Sequence, residues 1–418
     1  MPSLVINGNK RLTGKVEVDG AKNSVLPLLA ATILCNGKSV LHNCPILSDV
    51  DISLKILEGL GCVCKREGHT ITVDSSGVFD CCIPETLMRQ MRSSIVFLGA
   101  IVSRCSIAKL STPGGCELGP RPIDLHLSAL RQMGLEIKED FGILDCKVKD
   151  RLHSADINLS MPSVGATENI ILAAVNAEGL TVIRNAAREP EIVDLANFLK
   201  KCGAKISGAG TGVIEITGVS QLKPCEHSVI PDRIAAATYL SAAAITGGDI
   251  LVENVDNEHI ISIINCLEQS GCRINQYNNS VRITAPERIY RIEKINTLVY
   301  PGFPTDAGPP MMAAATVADG TSMFIENIFD NRYKFVDEIK RLGAKIKVAG
   351  RVAVVEGVKY LTGAAVEATD LRGGAALVLA GLAAHGTTTV GNIWHIDRGY
   401  ECIENKLCGL GAEISRIV

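Results

Sequence analysis

Six glycines, Gly61, Gly134, Gly203, Gly271, Gly343 and Gly411, each close a helix-like run and precede a small residue and an alternating strand. They lie 68 to 73 residues apart, in phrases such as Leu199-Lys200-Lys201-Cys202-Gly203-Ala204-Lys205-Ile206. That spacing is too regular for chance and too long for a solenoid repeat, so each copy must hold several elements. In each, an apolar helix leads to a strand opened by Gly (Gly37, Gly179, Gly320, Gly386). An Asn-containing loop, a more amphipathic helix ending on the repeat glycine and a pair of strands follow. The pattern is β-α-β-α-β-β, six times over, which makes an α/β (α+β) protein. The sixth copy lacks its last strands, and Met1 to Gly20 can supply them. Two lobes of three copies are expected: residues 22–230, and a discontinuous lobe of 1–21 plus 231–418, with chain crossings near Gly20 and Ile230.

A second periodic signal runs in step with the first. Just before each Ala/Leu/Ile-rich stretch stands a polar cluster: Lys22-Asn23, Arg92-Ser93-Ser94, Ser163 to Thr167, Asp232-Arg233, Thr305-Asp306 and Asp370-Leu371-Arg372. Their first members are 65 to 73 residues apart, which places them at the N-termini of equivalent buried helices. A helix N-terminus presents unpaired N–H groups and a partial positive charge, so it favours anions. One such cluster is accounted for as a helix cap. Six in register, with Lys22, Arg92, Arg233 and Arg372 among them, predict a cleft for phosphate or carboxylate.

Composition narrows the class. Hydrophobic residues make up 47% and aromatics 4%, so the cores must be packed by Ala, Val, Ile and Leu. A net charge of −3 without a basic run argues against nucleic acid or a membrane surface as partner. The longest apolar stretch, around Ala375 to Ala384, is about half a bilayer span. Fifteen cysteines are scattered without a C-x-x-C pair or zinc spacing, and Met1 to Gly20 reads as two short strands instead of a leader. A cytoplasmic protein with mostly buried thiols and no metal is expected.

One copy breaks the pattern. After Ile107 to Leu110 it lengthens into Pro113-Gly114-Gly115-Cys116-Glu117-Leu118-Gly119-Pro120-Arg121-Pro122-Ile123-Asp124-Leu125-His126, with three glycines and three prolines within ten residues. Such a stretch is a shaped surface loop. A cysteine there, close to a cation, meets the two conditions for a chemically useful thiol, so Cys116 is the candidate reactive residue.

At this loop the chain resembles the UDP-N-acetylglucosamine enolpyruvyl transferases. The likeness spans the chain: Gly20-Ala21-Lys22-Asn23, the Cys116 loop through His126, Ser163-Val164-Gly165-Ala166-Thr167, Asn185-Ala186-Ala187-Arg188-Glu189-Pro190-Glu191, Phe303-Pro304-Thr305-Asp306, Asn331-Arg332, Thr369-Asp370-Leu371-Arg372 and His395-Ile396-Asp397-Arg398-Gly399-Tyr400. The resemblance implies an inside-out α/β barrel in two lobes, with buried helices. It also implies transfer of the enolpyruvyl group of phosphoenolpyruvate to the 3-hydroxyl of UDP-N-acetylglucosamine, by addition and elimination with release of phosphate. That is the first committed step of peptidoglycan synthesis, performed by a monomer without cofactor or metal.

The same resemblance assigns roles. Cys116 is implied as proton donor and as the target of fosfomycin; a thiol is mostly protonated at neutral pH and can serve as an acid. Asp306 accepts or orients the proton of the sugar hydroxyl. Lys22, Arg121 and Arg398 hold the phosphate of phosphoenolpyruvate, and Arg332 and Arg372 its carboxylate region, with Asp370 and Asp397 fixing neighbouring arginines. A guanidinium suits such work because its planar fork makes two charge-assisted bonds to one oxyanion. For the sugar nucleotide, Arg121, Pro122, Ile123, Asp124 and Leu125 resemble the uracil-binding stretch, Ser163, Val164 and Gly165 the diphosphate turn, and Asn23, Arg92 and Ile328 further contacts.

The chain also departs from the pattern. Gly308 and Pro310 stand where relatives usually have Gln, and Gly373 where Ala is more common. A second proline cannot donate in the first helical turn and Gly loosens it, so the presentation of Asp306 is expected to be sensitive to this run. Two rival readings share the fold: a 3-phosphoshikimate 1-carboxyvinyltransferase, disfavoured by the Cys116 loop, and a silent sugar-nucleotide-binding paralogue, disfavoured by the intact charged residues.

Overall fold

The structure, a computed structural model, describes residues 2–77, 80–112 and 123–417, without the side chain of Arg92. Cys116, Arg121 and Pro122 lie outside the described residues. The chain divides into two compact units, one drawn from the described residues of 20–230 and the other from those of 1–19 and 231–418.

Each unit is built around three buried helices. In the first these are α1 (Lys22–Thr32), α2 (Phe97–Cys105) and α3 (Val164–Ala174). In the second they are α4 (Arg233–Ile245), α5 (Gly308–Ala315) and α6 (Leu371–Ala383). These sequences are apolar on every face, and a helix of that kind is stable only when enclosed. Their many Ala and Gly residues let α4, α5 and α6 pack closely against one another. The apolar stretch at 375–384 is thus the core of α6 and its C-terminal end; among the described residues no helix is long and apolar enough to cross a membrane.

Around these helices lie the amphipathic helices and, among the described residues, six sheets of three or four strands, one per copy, with a two-stranded pairing of Leu361–Thr362 and Ala384–His385 beside them. In the third copy Asp156–Asn158 runs parallel to Leu180–Arg184, which pairs antiparallel with Val213–Thr217, itself paired with Lys205–Ser207. The second copy is the exception, with a three-stranded sheet whose parallel strand is reduced to a bridge between Cys82 and Lys109. Helices inside and sheets outside make each unit an inside-out barrel.

The N-terminal strand Ser3–Asn7 lies antiparallel between Thr387–Gly391 and Glu413–Ile417, completing the sixth sheet. Thr13–Glu17 then runs parallel to Asp249–Glu253 in the second unit, while Glu226–Ser228 runs parallel to Lys38–His42 in the first. Each unit therefore borrows a strand from a distant stretch of sequence.

The repeat glycines have one physical cause. All six follow helix ends with φ between 87° and 105°, a left-handed conformation that side chains resist. The asparagine loops have another. Asn43, Asn185 and Asn254 also take positive φ, and their amides donate to the carbonyls of Val229 (2.9 Å), Leu159 (2.9 Å) and Val18 (2.7 Å), just past the neighbouring parallel strand. An αL residue with an amide side chain both turns the chain and ties it to that strand.

Candidate active site

In the second unit, Asp306 is the meeting point of two arginines. Thr305–Ala307 forms a 3-10 turn that feeds α5. Arg332 Nη2 pairs with Asp306 Oδ1, and Arg372 Nε lies 3.4 Å from Oδ2. Both guanidinium side chains are 2% exposed, against 26% for Asp306, so the carboxylate reaches outward from a buried cationic base. Arg332 also donates from Nε to the Thr305 carbonyl (3.1 Å) and packs against Phe329, 5.5 Å from the ring centre. Arg372 lies over Tyr400 (5.1 Å), whose hydroxyl meets Thr238 Oγ1 at 2.8 Å. Burial opposes charge on Arg372, yet Tyr400 and Asp306 more than offset it and hold its pKa above the ordinary value. Among the described residues its Nη1 is buried without a hydrogen-bond partner. An unmet buried donor is costly, and such atoms mark places where a ligand can repay the cost.

The Gly308-Pro309-Pro310 run opens α5 directly after the Asp306 turn. Both prolines occupy the first turn of α5, where backbone N–H groups have no intrahelical acceptor and their loss is tolerated. Gly373 has its own reason: a Cβ there would stand 2.5 Å from Asp370 Oδ2 and 2.7 Å from Phe335 Cβ.

Among the described residues neither Asp370 nor Asp397 pairs with the guanidinium next to it in sequence. Asp370 Oδ1 instead caps α6, accepting from the backbone N–H groups of Arg372 (3.0 Å) and Gly373 (2.9 Å). Asp397 takes both terminal nitrogens of Arg416 at 2.7 and 3.0 Å, and Arg416 also reaches Glu404 at 2.7 Å. Arg398 is half-buried in the turn that follows. Ile328 is half-buried, and its N–H donates to Glu326 Oε1 at 2.8 Å. Buried Glu326 also accepts from Thr305 Oγ1 (2.9 Å) and the Phe329 N–H (3.0 Å), joining the Asp306 turn to the Ile328 turn. No motif singled it out; its position directly after a strand was the available signal.

In the first unit, Lys22 is the first residue of α1 and is 8% exposed, its Nζ 2.7 Å from Asp49 Oδ2. Asp49 sits in the acidic first turn of the helix Ser48–Gly59, a partner that the motifs did not indicate. Asn23 beside it is exposed, and the Ser24 hydroxyl donates to Asp194. Arg92 opens the 3-10 turn Arg92–Val96 that runs into α2.

Ser163 caps α3, accepting from the Ala166 N–H at 3.3 Å. Val164 and Gly165 follow half-buried. A Cβ on Gly165 would stand 3.0 Å from His126 Cε1. His126 is fixed by the Asn169 amide at 2.8 Å, which donates as well to the Ile95 carbonyl at 2.9 Å. Ile123, half-buried, precedes the helix Asp124–Gln132, in which Asp124 is exposed and Leu125 half-buried. The structure therefore groups Asp306, Arg332 and Arg372 directly, and sets Ser163 to Gly165 and Ile123 to Leu125 on elements joined through His126.

Comparison with known proteins places the whole chain in a family. Residues 6–407 match the family model of EPSP synthase (3-phosphoshikimate 1-carboxyvinyltransferase). The chain is 53% identical over 418 residues, all of both chains, to UDP-N-acetylglucosamine 1-carboxyvinyltransferase 2 of Caldanaerobacter subterraneus subsp. tengcongensis. It is 50% identical to UDP-N-acetylglucosamine 1-carboxyvinyltransferase 1 of Symbiobacterium thermophilum, covering 99% of this chain and 95% of the relative. Among solved structures, the enolpyruvyl transferase NikO from Streptomyces tendae superposes with a TM-score of 0.89 at 25% identity, over 99% of this chain and 98% of that one. EPSP synthase from Acinetobacter baumannii, at 19% identity and a TM-score of 0.79 over the full length of both chains, shares the fold. The chain belongs to the enolpyruvyl transferase family, in the branch of the UDP-N-acetylglucosamine 1-carboxyvinyltransferases.

Proposed function

We propose that the chain transfers the enolpyruvyl group of phosphoenolpyruvate to the 3-hydroxyl of UDP-N-acetylglucosamine and releases phosphate. The observation that carries this reading is Asp306 held by two buried guanidiniums, in a chain about half identical to relatives bearing that name. Arg332 and Arg372 bind the substrate carboxylate, which competes with Asp306 for the same donors. As it takes them, Asp306 is released to accept or orient the hydroxyl proton. Cys116 delivers a proton to the methylene carbon, and Lys22, Arg121 and Arg398 steady the departing phosphate. Ser163 to Gly165, with small residues at a helix N-terminus, let backbone N–H groups approach the diphosphate. On this reading residues 22–230 hold mainly the sugar nucleotide, and the enzyme acts as a cytoplasmic monomer at the entry to peptidoglycan synthesis, sensitive to fosfomycin.

A phosphate-release assay tests the proposal. Release from phosphoenolpyruvate with UDP-N-acetylglucosamine, blocked by fosfomycin, is expected. Release with shikimate 3-phosphate alone, or with neither acceptor, overturns it.

A further inference from the structure

The first unit contains a thiol pair that is no part of the candidate site. Cys202 caps the C-terminus of the helix Pro190–Lys201, and Cys225 directly precedes the strand Glu226–Ser228. The Cys202 thiol donates to Cys225 Sγ at 3.2 Å. A disulfide is about 2.05 Å long, so closure needs an approach of roughly 1 Å. Cys202 is 1% exposed while Cys225 is half-buried, so one sulfur is reachable and the other waits behind it. The bond from Cys202 and the nearby Lys201 lower the pKa of Cys225. Cys202 is pushed far upward, first by that same bond and then by Cys35. Exposure and the direction of these shifts agree: Cys225 is the sulfur that a small oxidant meets first, and Cys202 stands behind it at bonding approach.

The geometry points to a modification site: Cys225 is a peroxide-reactive thiol and Cys202 its resolving partner, together forming a disulfide. In the first step the Cys225 thiolate attacks one oxygen of hydrogen peroxide, the O–O bond breaks, hydroxide leaves, and a sulfenic acid forms. In the second, Cys202 sulfur attacks Cys225 sulfur, the S–O bond breaks, and the Cys202 proton departs with the oxygen as water. Two thiols are oxidised and one peroxide is reduced to two waters. The product ties the end of the helix Pro190–Lys201 to the strand Glu226–Ser228. The same helix carries Asp194, which pairs with His227 at 2.7 Å and accepts from Ser24, so the link reinforces a contact already present.

The test treats the full chain with hydrogen peroxide, alkylates the remaining thiols and maps peptides without reduction. The expected result is a Cys202–Cys225 cross-linked peptide, loss of Cys225 alkylation, and recovery of both thiols after a phosphine reductant. In Cys202→Ser, Cys225 should instead accumulate as sulfenic acid trapped by dimedone. Unchanged alkylation of Cys225 while exposed Cys82, Cys402 or Cys408 oxidises overturns the proposal, and so does a Cys35–Cys202 link in its place.

Discussion

Two arginine clusters of the second unit differ in how fully their donors are met. Arg416 reaches two carboxylates, Asp397 through both terminal nitrogens and Glu404 through Nε, and those bonds raise its pKa. Arg332 and Arg372 converge on the single carboxylate of Asp306, and among the described residues Arg372 Nη1 is left without a hydrogen-bond partner. The first arrangement is complete and anchors the C-terminal strand. The second is incomplete in the way a binding site must be, because donors already saturated by the protein have nothing to offer a ligand.

The largest way to break this contrast is Asp306→Asn. It removes the group assigned to the sugar hydroxyl, and kcat should fall by about 10²–10⁴ in the phosphate-release assay. Gly165→Ala should act more mildly in the other unit. Its Cβ meets His126 at 3.0 Å, and His126 is held by Asn169. A strain of about 1 kcal/mol is expected, seen as a several-fold rise in KM for the sugar nucleotide with kcat nearly unchanged.

Glu168 gives the opposite electrostatic case, a buried carboxyl crowded by others. Burial raises its pKa well above the ordinary value, and Glu191 and Glu189 raise it further. The folded state therefore favours the protonated acid. Its contribution is fully present below the unfolded value of about 4.3 and is lost as pH rises through the folded value. Glu168→Gln should gain stability over the parent as pH rises, on the order of 1 kcal/mol, and flatten the dependence of Tm on pH.

Much of the fold was legible because it repeats. A glycine at positive φ after each amphipathic helix and the asparagine turns at Asn43, Asn185, Asn254 and Asn392 impose local conformations, so they recur along the chain. Ser163, Asp232 and Asp370 were legible as helix starts for the same reason, since a cap acts on N–H groups two or three residues away. Partners distant in sequence were not legible. Lys22 finds Asp49, and Asp397 finds Arg416 instead of adjacent Arg398, because the closing of the sixth sheet around Ser3–Asn7 sets where Glu413–Ile417 lies. Glu326 was missed likewise: its three bonds exist only once two turns are brought together.

The central claim, that the incompletely paired cluster around Asp306 binds the reacting carboxylate, is tested most directly by kcat/KM for phosphoenolpyruvate in Arg372→Lys set beside Arg416→Lys. A lysine keeps the charge but loses the fork. The account predicts a loss on the order of 10²-fold for Arg372→Lys and a change within about twofold for Arg416→Lys, with both proteins folded by circular dichroism. Equal effects of the two substitutions, or a larger one at Arg416, would contradict it.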